Sequence, residues 1–286
     1  MAVTIEPLDA TLGAVVTGVR LGDLDDATWL YLEAAFDEHA LLIFPGQHLS
    51  DDEQASFGRR FGEIEDVGGG AVGAISNRRR DGTMMDPDEP VMMLIRGNEG
   101  WHTDSSYMPV SAKASMLSAH EVPGTGGTTQ WADMRAAYDA LDDATRQVVD
   151  GLTAHHSIAY SQARIGQTEP MQGFYGFDDG PPPRRPLVKV HPVTGRRALF
   201  IGRHAHSIAG MDAEQSELFL DGLLDAACRP PRMYEHKWTS GDIAVWDNRC
   251  VLHRARPWDL HEVRVMKHTR IKGNPGTEAA LAPAGK

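Results

Sequence analysis

The stretch Trp101-His102-Thr103-Asp104 constrains this chain more than any other, because it sets an imidazole and a carboxylate two residues apart. In extended backbone, side chains at i and i+2 leave the same face, so His102 and Asp104 can reach one metal ion together. A third donor has to come from elsewhere. The best candidate is His253, which closes the run Trp246-Asp247-Asn248-Arg249-Cys250-Val251-Leu252-His253. Any fold open to this chain must therefore bring together two β-like segments that lie far apart in sequence. Two histidines and one carboxylate grip one side of an ion and leave the opposite positions free, the arrangement of non-haem Fe(II) sites.

The chain has material for such a frame. Hydrophobic residues make up 41% and charged residues 24% of its 286 residues, ordinary globular values that allow a full core, and residues 1–286 are expected to form one domain. The opening Met-Ala-Val-Thr-Ile-Glu-Pro has neither a basic region nor an apolar stretch after it, and no run of about 18 apolar residues occurs. A cytoplasmic protein without a membrane span is expected. Cys228 and Cys250 are too few for a disulfide framework and are read as reduced thiols. A formal net charge of −12 argues against nucleic acid, whose binding needs a basic footprint. A small anionic organic substrate remains compatible, provided a few arginines hold it in a pocket.

Taken in order, residues 3–19 suggest an opening strand pair, and Asp25 to His39 an amphipathic helix with Leu30, Leu32, Ala34, Ala35 and Phe36 as its apolar residues. Leu41-Leu42-Ile43-Phe44 reads as a buried strand, and Ser50 with Glu53 as a capping box for a helix to about Arg60. From 65 to 99 the glycines, Arg78-Arg79-Arg80, Pro87 and Pro90 break every long pattern except a short strand at 71–76. This segment is expected to be a mobile lid over the site. Strands follow at 113–122 and 128–132, and Asp133 caps a helix with another after it near 143–152. Residues 162–185 read as irregular, 187–202 as a hairpin, and 211–228 as a helix with Leu218, Leu223, Leu224 and Ala227 on its stripe. Strands at 238–246, 251–255 and 263–271 finish the pattern, with a flexible tail from about 273. Many short strands with helices at intervals indicate a mixed α+β chain with a sandwich or barrel-like core.

A lone His-x-Asp occurs by chance in many chains, so its neighbours decide. Arg264, beyond His253 on the next strand, can offer two parallel donors to a carboxylate. Together, Trp101-His102-Thr103-Asp104, Gly126-Gly127-Thr128-Thr129-Gln130-Trp131, Trp246-Asp247-Asn248-Arg249, and His253 with Arg264 resemble the Fe(II)/2-oxoglutarate dioxygenases of the taurine and 2,4-dichlorophenoxyacetate dioxygenase family. The resemblance runs from about Leu41 to Arg270. It is strongest to the aryloxyalkanoate, phenoxypropionate-type members, through Leu41 to Gln47, Ala132 to Leu141 and Leu199 to His206.

That resemblance implies a double-stranded β-helix, or jelly roll, with flanking helices, and a homo-oligomer. It implies His102, Asp104 and His253 as iron ligands, and Thr129 and Arg264 as partners of the far carboxylate of the cosubstrate 2-oxoglutarate. O2 is then the second cosubstrate, and succinate and CO2 are released as substrate is hydroxylated. On the substrate side it implies Asn98, with Val67, Ile75 and Met93 as an apolar wall. Where relatives carry a second arginine this chain has His268, which leaves the anion anchor open between Arg96 and Arg203, with His204 near the pocket. His204-x-His206 and His155-His156 are rival metal pairs without a carboxylate companion. A taurine-like alkylsulfonate dioxygenase and, from another class, a mononuclear zinc hydrolase are the competing functional readings.

Overall fold

The computed structural model describes residues 2–169, 173–177 and 180–282. Strands β1 (Thr4–Pro7) and β2 (Ala14–Thr17) pair antiparallel, as expected. Helix α1 (Asp26–His39) starts where the Asp25 carboxylate accepts from the Thr28 N–H, and buries Trp29, Leu32, Ala35 and Phe36. Leu30 and Ala34 face solvent instead, because the bulk of Trp29 sets the inward stripe one position earlier than an aliphatic count suggests. Strand β3 (Leu41–Phe44) follows, then α2 (Asp51–Phe61) with its Ser50/Glu53 capping box in place.

β3 explains why a strand can be apolar without a break. Leu42 and Phe44 face a core cluster under α1 and α2, with Trp29, Phe36, Phe57 and Phe61, while Leu41 and Ile43 face a second cluster on the other side. A strand buried on both faces has no polar face to alternate with.

Short strands β4 (Ile64–Glu65) and β5 (Gly73–Ser76) come next. The segment expected to be irregular up to 99 then holds helix α3 (Pro90–Gly97). Pro90 does not break the segment: at the first turn of α3 its missing N–H costs nothing and its fixed φ suits a helix start. Strands β6 (Ala114–Glu121) and β7 (Thr129–Asp133) and helices α4 (Met134–Asp139) and α5 (Asp143–Val149) follow the sequence reading closely, and strand β8 (Thr153–His156) is an addition to it. Helix α6 (Ile158–Ala163) was not foreseen.

Beyond it run β9 (Arg184–Pro186), the hairpin β10 (Val188–Val190) and β11 (Arg197–Leu199), and β12 (Ala205–His206). Helix α7 (Ala213–Ala227) buries Leu220, Leu223 and Ala227 and leaves Leu218, assigned to its stripe, exposed. Of the late strand expected at 238–246 only the second half is a strand, β14 (Ile243–Asp247); Trp238 lies in the loop before it, and an unexpected strand, β13 (Met233–His236), precedes that loop. β15 (Val251–Ala255) and β16 (Val265–Ile271) complete the strands. Within the expected tail, α8 (Pro275–Glu278) buries Glu278 to 1% exposure and pairs it with Lys189. Residues 283–286 lie outside the described residues.

The large sheet has the order β1-β2-β3-β14-β6-β16-β4, with β5 also on β16. A second sheet, β13-β7-β15, carries Trp131 and Leu252 in the cluster that also takes Leu41, Ile43 and Trp246 from the large one. Helices α1 and α2 cover the opposite face of the large sheet. Among the described residues no helix is long and apolar enough to cross a membrane.

Candidate active site

His102 sits beside the second sheet through a reciprocal bridge. Its N–H donates to the His253 carbonyl (3.0 Å), and the His253 N–H donates to the His102 carbonyl (2.9 Å). The segment is extended only that far, not through Asp104 as expected: Ser105 adopts φ +54°, and Asp104 already belongs to a turn. The turn does not separate the donors. His102 Nε2 lies 4.0 Å from Asp104 Oδ1, His253 Nε2 lies 3.7 Å from Asp104 Oδ2, and one ligand atom from each residue falls within 4.8 Å of the others.

The electrostatics suit a cation. Burial lowers the His102 pKa to about 4 and that of His253 well below its ordinary value, so both imidazoles are neutral at pH 7 with lone pairs to give. His102 Nδ1 is 2.8 Å from the Gly100 carbonyl, which places its proton there and leaves Nε2 as the donor atom. Burial raises the Asp104 pKa, but Arg270, followed by His253 and His268, more than offsets this and holds it well below the usual range. The donor set of two neutral imidazoles and one carboxylate therefore fits a divalent metal.

Three supports of Asp104 were missed in the sequence. Arg270 Nη2 donates to Oδ1 (2.9 Å), the Ser115 hydroxyl donates to Oδ2 (2.6 Å), and Asn248 fixes the neighbouring backbone. The period-2 rule, applied onward from His268, would have found Arg270 on the same face of β16.

A cavity of about 70 Å³ adjoins the three donors, with Thr129, Arg264, His268 and Trp246 in its lining. Arg264 is 2% exposed, its Nε donates to the Gly127 carbonyl (3.2 Å), and it lies across the Trp258 ring. Its Nη2 is buried without a hydrogen-bond partner among the described residues. A buried cationic N–H without an acceptor is costly unless a ligand supplies one, so the cradle fits a carboxylate. Thr129 Oγ1 accepts from the indole N–H of Trp238 (2.9 Å), another residue not foreseen.

A larger cavity of about 230 Å³ opens from His102 and Asp104 and is walled by Val67, Ile75, Leu94, Ile95, Ile158 and Phe174, with Asn98, Arg203 and His204 also exposed to it. Two expected members do not line it. Arg96 turns its guanidinium to the Met93 sulfur (3.7 Å), and Met93 uses its carbonyl on Gln162. Once α3 is a helix, Val91, Leu94 and Ile95 present the inner face instead. His268 lines the smaller cavity, not the larger, with Nε2 3.4 Å from Asp104 Oδ2.

Arg203 ties the walls together, donating to the carbonyls of Gly97 and Ser161 and to Gln162 Oε1. All three acceptors are neutral. Glu65, Tyr175 and Ser105 form a further tie, with Tyr175 donating to Glu65 at 2.5 Å. The rival histidine pairs dissolve in the structure. His204 binds Ser161 Oγ and faces the large cavity, His206 stacks on Tyr160, and His156 is buried beside Phe200. One other donor cluster, His191, Asp247 and Cys250, exists among the described residues. Its carboxylate is already bridged by Arg249 and His191, so it offers no open face.

Comparison with known proteins agrees with this geometry. The profile of the family described as "Taurine catabolism dioxygenase TauD, TfdA family" matches residues 4–270. An (S)-phenoxypropionate/alpha-ketoglutarate-dioxygenase of Delftia acidovorans is 55% identical over 283 residues, covering 96% of this chain and 97% of that protein. An alpha-ketoglutarate-dependent 2,4-dichlorophenoxyacetate dioxygenase of Cupriavidus pinatubonensis is 36% identical, over 93% of this chain and 96% of its own length. The crystal structure of AAD-2 in complex with Mn(II) and N-oxalylglycine superposes with a TM-score of 0.90 at 36% identity, over 99% of this chain and 100% of that one. With its two histidines, one aspartate and buried arginine set in a fold shared along nearly its whole length, this chain belongs to the TauD/TfdA family of dioxygenases.

Proposed function

We propose that the chain is an Fe(II)/2-oxoglutarate-dependent dioxygenase that hydroxylates an aryloxyalkanoate and so cleaves it to a phenol and a 2-oxo acid. One juxtaposition carries the reading: a two-histidine, one-carboxylate cluster shares a cavity with a buried arginine whose Nη2 has no acceptor among the described residues, and this cavity opens onto an apolar chamber. The phenoxypropionate dioxygenase, more than half identical along its length, supports the substrate class. A zinc hydrolase would leave Arg264 without a use. The apolar chamber and His268 in place of an arginine weigh against an alkylsulfonate.

In this reading His102, Asp104 and His253 hold the iron, and Thr129 with Arg264 holds the far carboxylate of 2-oxoglutarate. Bound there, ferrous iron with 2-oxoglutarate and O2 supplies the oxidising power, and succinate and CO2 leave as by-products. The chain's residues do the remaining work. Val67, Ile75, Leu94, Ile95 and Phe174 enclose the aryl ring and exclude water, while Asn98 and His204 border the path to the donors. Arg203 anchors the substrate carboxylate: burial lowers its pKa only to about 10, it stays charged at pH 7, and its present acceptors are neutral. Arg270 is less suited, since its charge is already matched by Asp104. Hydroxylation at the carbon that bears the ether oxygen gives a hemiketal or hemiacetal, which collapses to the two products.

The same proposal covers a jelly roll made of the two facing sheets in one domain, the segment 65–99 acting as a lid through α3, and a cytoplasmic homo-oligomer. The test is succinate release with Fe(II), ascorbate and O2 across aryloxyacetates, both aryloxypropionate enantiomers and taurine. The expected result is turnover stimulated by at least one aryloxypropionate and not by taurine. Stimulation by no aryloxyalkanoate sinks the substrate assignment.

A further inference from the structure

We propose that Trp246, Asn248 and Ser115 form a one-way hydrogen-bond relay that orients Asp104 as a metal ligand before the metal arrives. The inference rests on the metal reading above and adds residues that neither touch the metal nor were expected to matter for it.

Its direction follows from donor chemistry. An indole N–H can only donate. Trp246 Nε1 lies 3.1 Å from Asn248 Oδ1, so that atom must be the amide oxygen and not the nitrogen. The Asn248 amide nitrogen then faces Ser115 and donates to its Oγ (2.8 Å). Ser115 has a single hydroxyl proton, and with its oxygen already accepting, that proton points at Asp104 Oδ2 (2.6 Å). Reversing any member would set two donors or two acceptors against each other.

The relay is built into the sheet. Trp246 on β14 lies directly opposite Ser115 on β6, and Asn248 follows β14 at its turn into β15. Trp246 and Asn248 are 1% exposed and Ser115 is fully buried, so water has no ready access to replace a lost link. Asn248 Oδ1 also lies 3.4 Å from the Asp104 N–H, which lets one amide steady the backbone and the side chain of the ligand. The Trp246 ring packs 4.6 Å from the His253 ring, centroid to centroid, so the same indole bounds a second donor.

The test is Mn(II) binding to the metal-free protein, followed by titration, with thermal unfolding as the check on folding. Ser115→Ala should weaken Mn(II) roughly 10- to 100-fold, as loss of such outer supports does elsewhere, and Ser115→Thr, which keeps the hydroxyl, should recover most of it. Trp246→Phe, which keeps an aromatic ring but removes the N–H donor together with part of the indole, should weaken it in the same direction. The double variant Ser115→Ala/Trp246→Phe should bind no worse than the weaker single, because one broken link already disconnects the relay. Co(II) spectra of fully loaded Ser115→Ala should differ from wild type. If Ser115→Ala does not fold, Trp246→Phe carries the test alone. Wild-type affinity in the single variants, or losses that multiply in the double, overturns the relay. Mn(II) binding that survives His253→Ala overturns the metal reading itself, a separate outcome.

Discussion

The two cavities that meet at Asp104 are built differently. The walls of the smaller one come mostly from β5, β6, β7, β14, β15 and β16, where strand register decides which side chains face inward, with Asn98, Asp104 and Arg264 added from outside the strands. Much of the larger one comes instead from α3, α6 and residues 173–177, set against β5 and held to one another by side-chain ties such as Arg203 to Gly97 and Tyr175 to Glu65. The smaller cavity thus rests mainly on the sheet framework, and the larger one mainly on helices and loops packed over it, with β5 shared between the two. This is the division seen when function is grafted onto a rigid scaffold.

Breaking the framework should cost most. Asp247→Asn leaves the buried Arg249 short of its charge partner, and a loss of about 3–5 kcal/mol in unfolding free energy is expected at pH 7. Burial raises the Asp247 pKa, yet Arg249 and His191 hold it below its ordinary value. A depressed folded-state pKa contributes stability above the unfolded value of about 3.9 and loses it as pH falls. The gap between wild type and variant should therefore narrow below about pH 4, as read by urea titrations over that range. A gap independent of pH would remove the charge from the explanation.

On the cosubstrate wall, Arg264→Ala should weaken 2-oxoglutarate binding by about 2–5 kcal/mol through loss of a buried charge partner. Calorimetry on the metal-loaded protein measures it, and an unchanged affinity counts against the role. Arg203→Ala should raise the KM for an aryloxypropionate about 10- to 100-fold, the scale of a charged hydrogen bond at 1.5–3 kcal/mol, while 2-oxoglutarate affinity holds. A variant that loses both affinities alike would show that the two walls are one unit after all. The smallest effect is expected from Tyr175→Phe, about 0.5–1.5 kcal/mol in substrate binding and none in metal binding.

The same contrast explains what could be read from the sequence. His102, Asp104 and His253 stand in short motifs on or beside strands and were legible from residue type and spacing, although Asp104 reaches the cluster from a turn and not from extended backbone, while Thr129 and Arg264 took their roles from the family resemblance. Ser115, Trp238 and Asn248 act across registers, and no single-strand pattern reveals which residue of β6 will stand opposite Trp246. On the substrate wall, missing the helix at α3 made its inner face unreadable, so Met93 and Arg96 were chosen where Val91, Leu94 and Ile95 serve. Val67, Ile75, Asn98, Arg203 and His204 do reach that chamber, through the resemblance and not through any periodicity.

The segment around α8 bears on how such a site is made. Arg185 donates to the carbonyls of Ser106, Met108 and Glu278, and Ala280 donates to Pro109, so residues 278–280 clasp the loop that leaves Asp104. Protein synthesis delivers residues 278–280 long after the His-x-Asp stretch has left the ribosome. The nascent polypeptide consequently carries an unclasped Asp104 loop until residues 278–280 have been added.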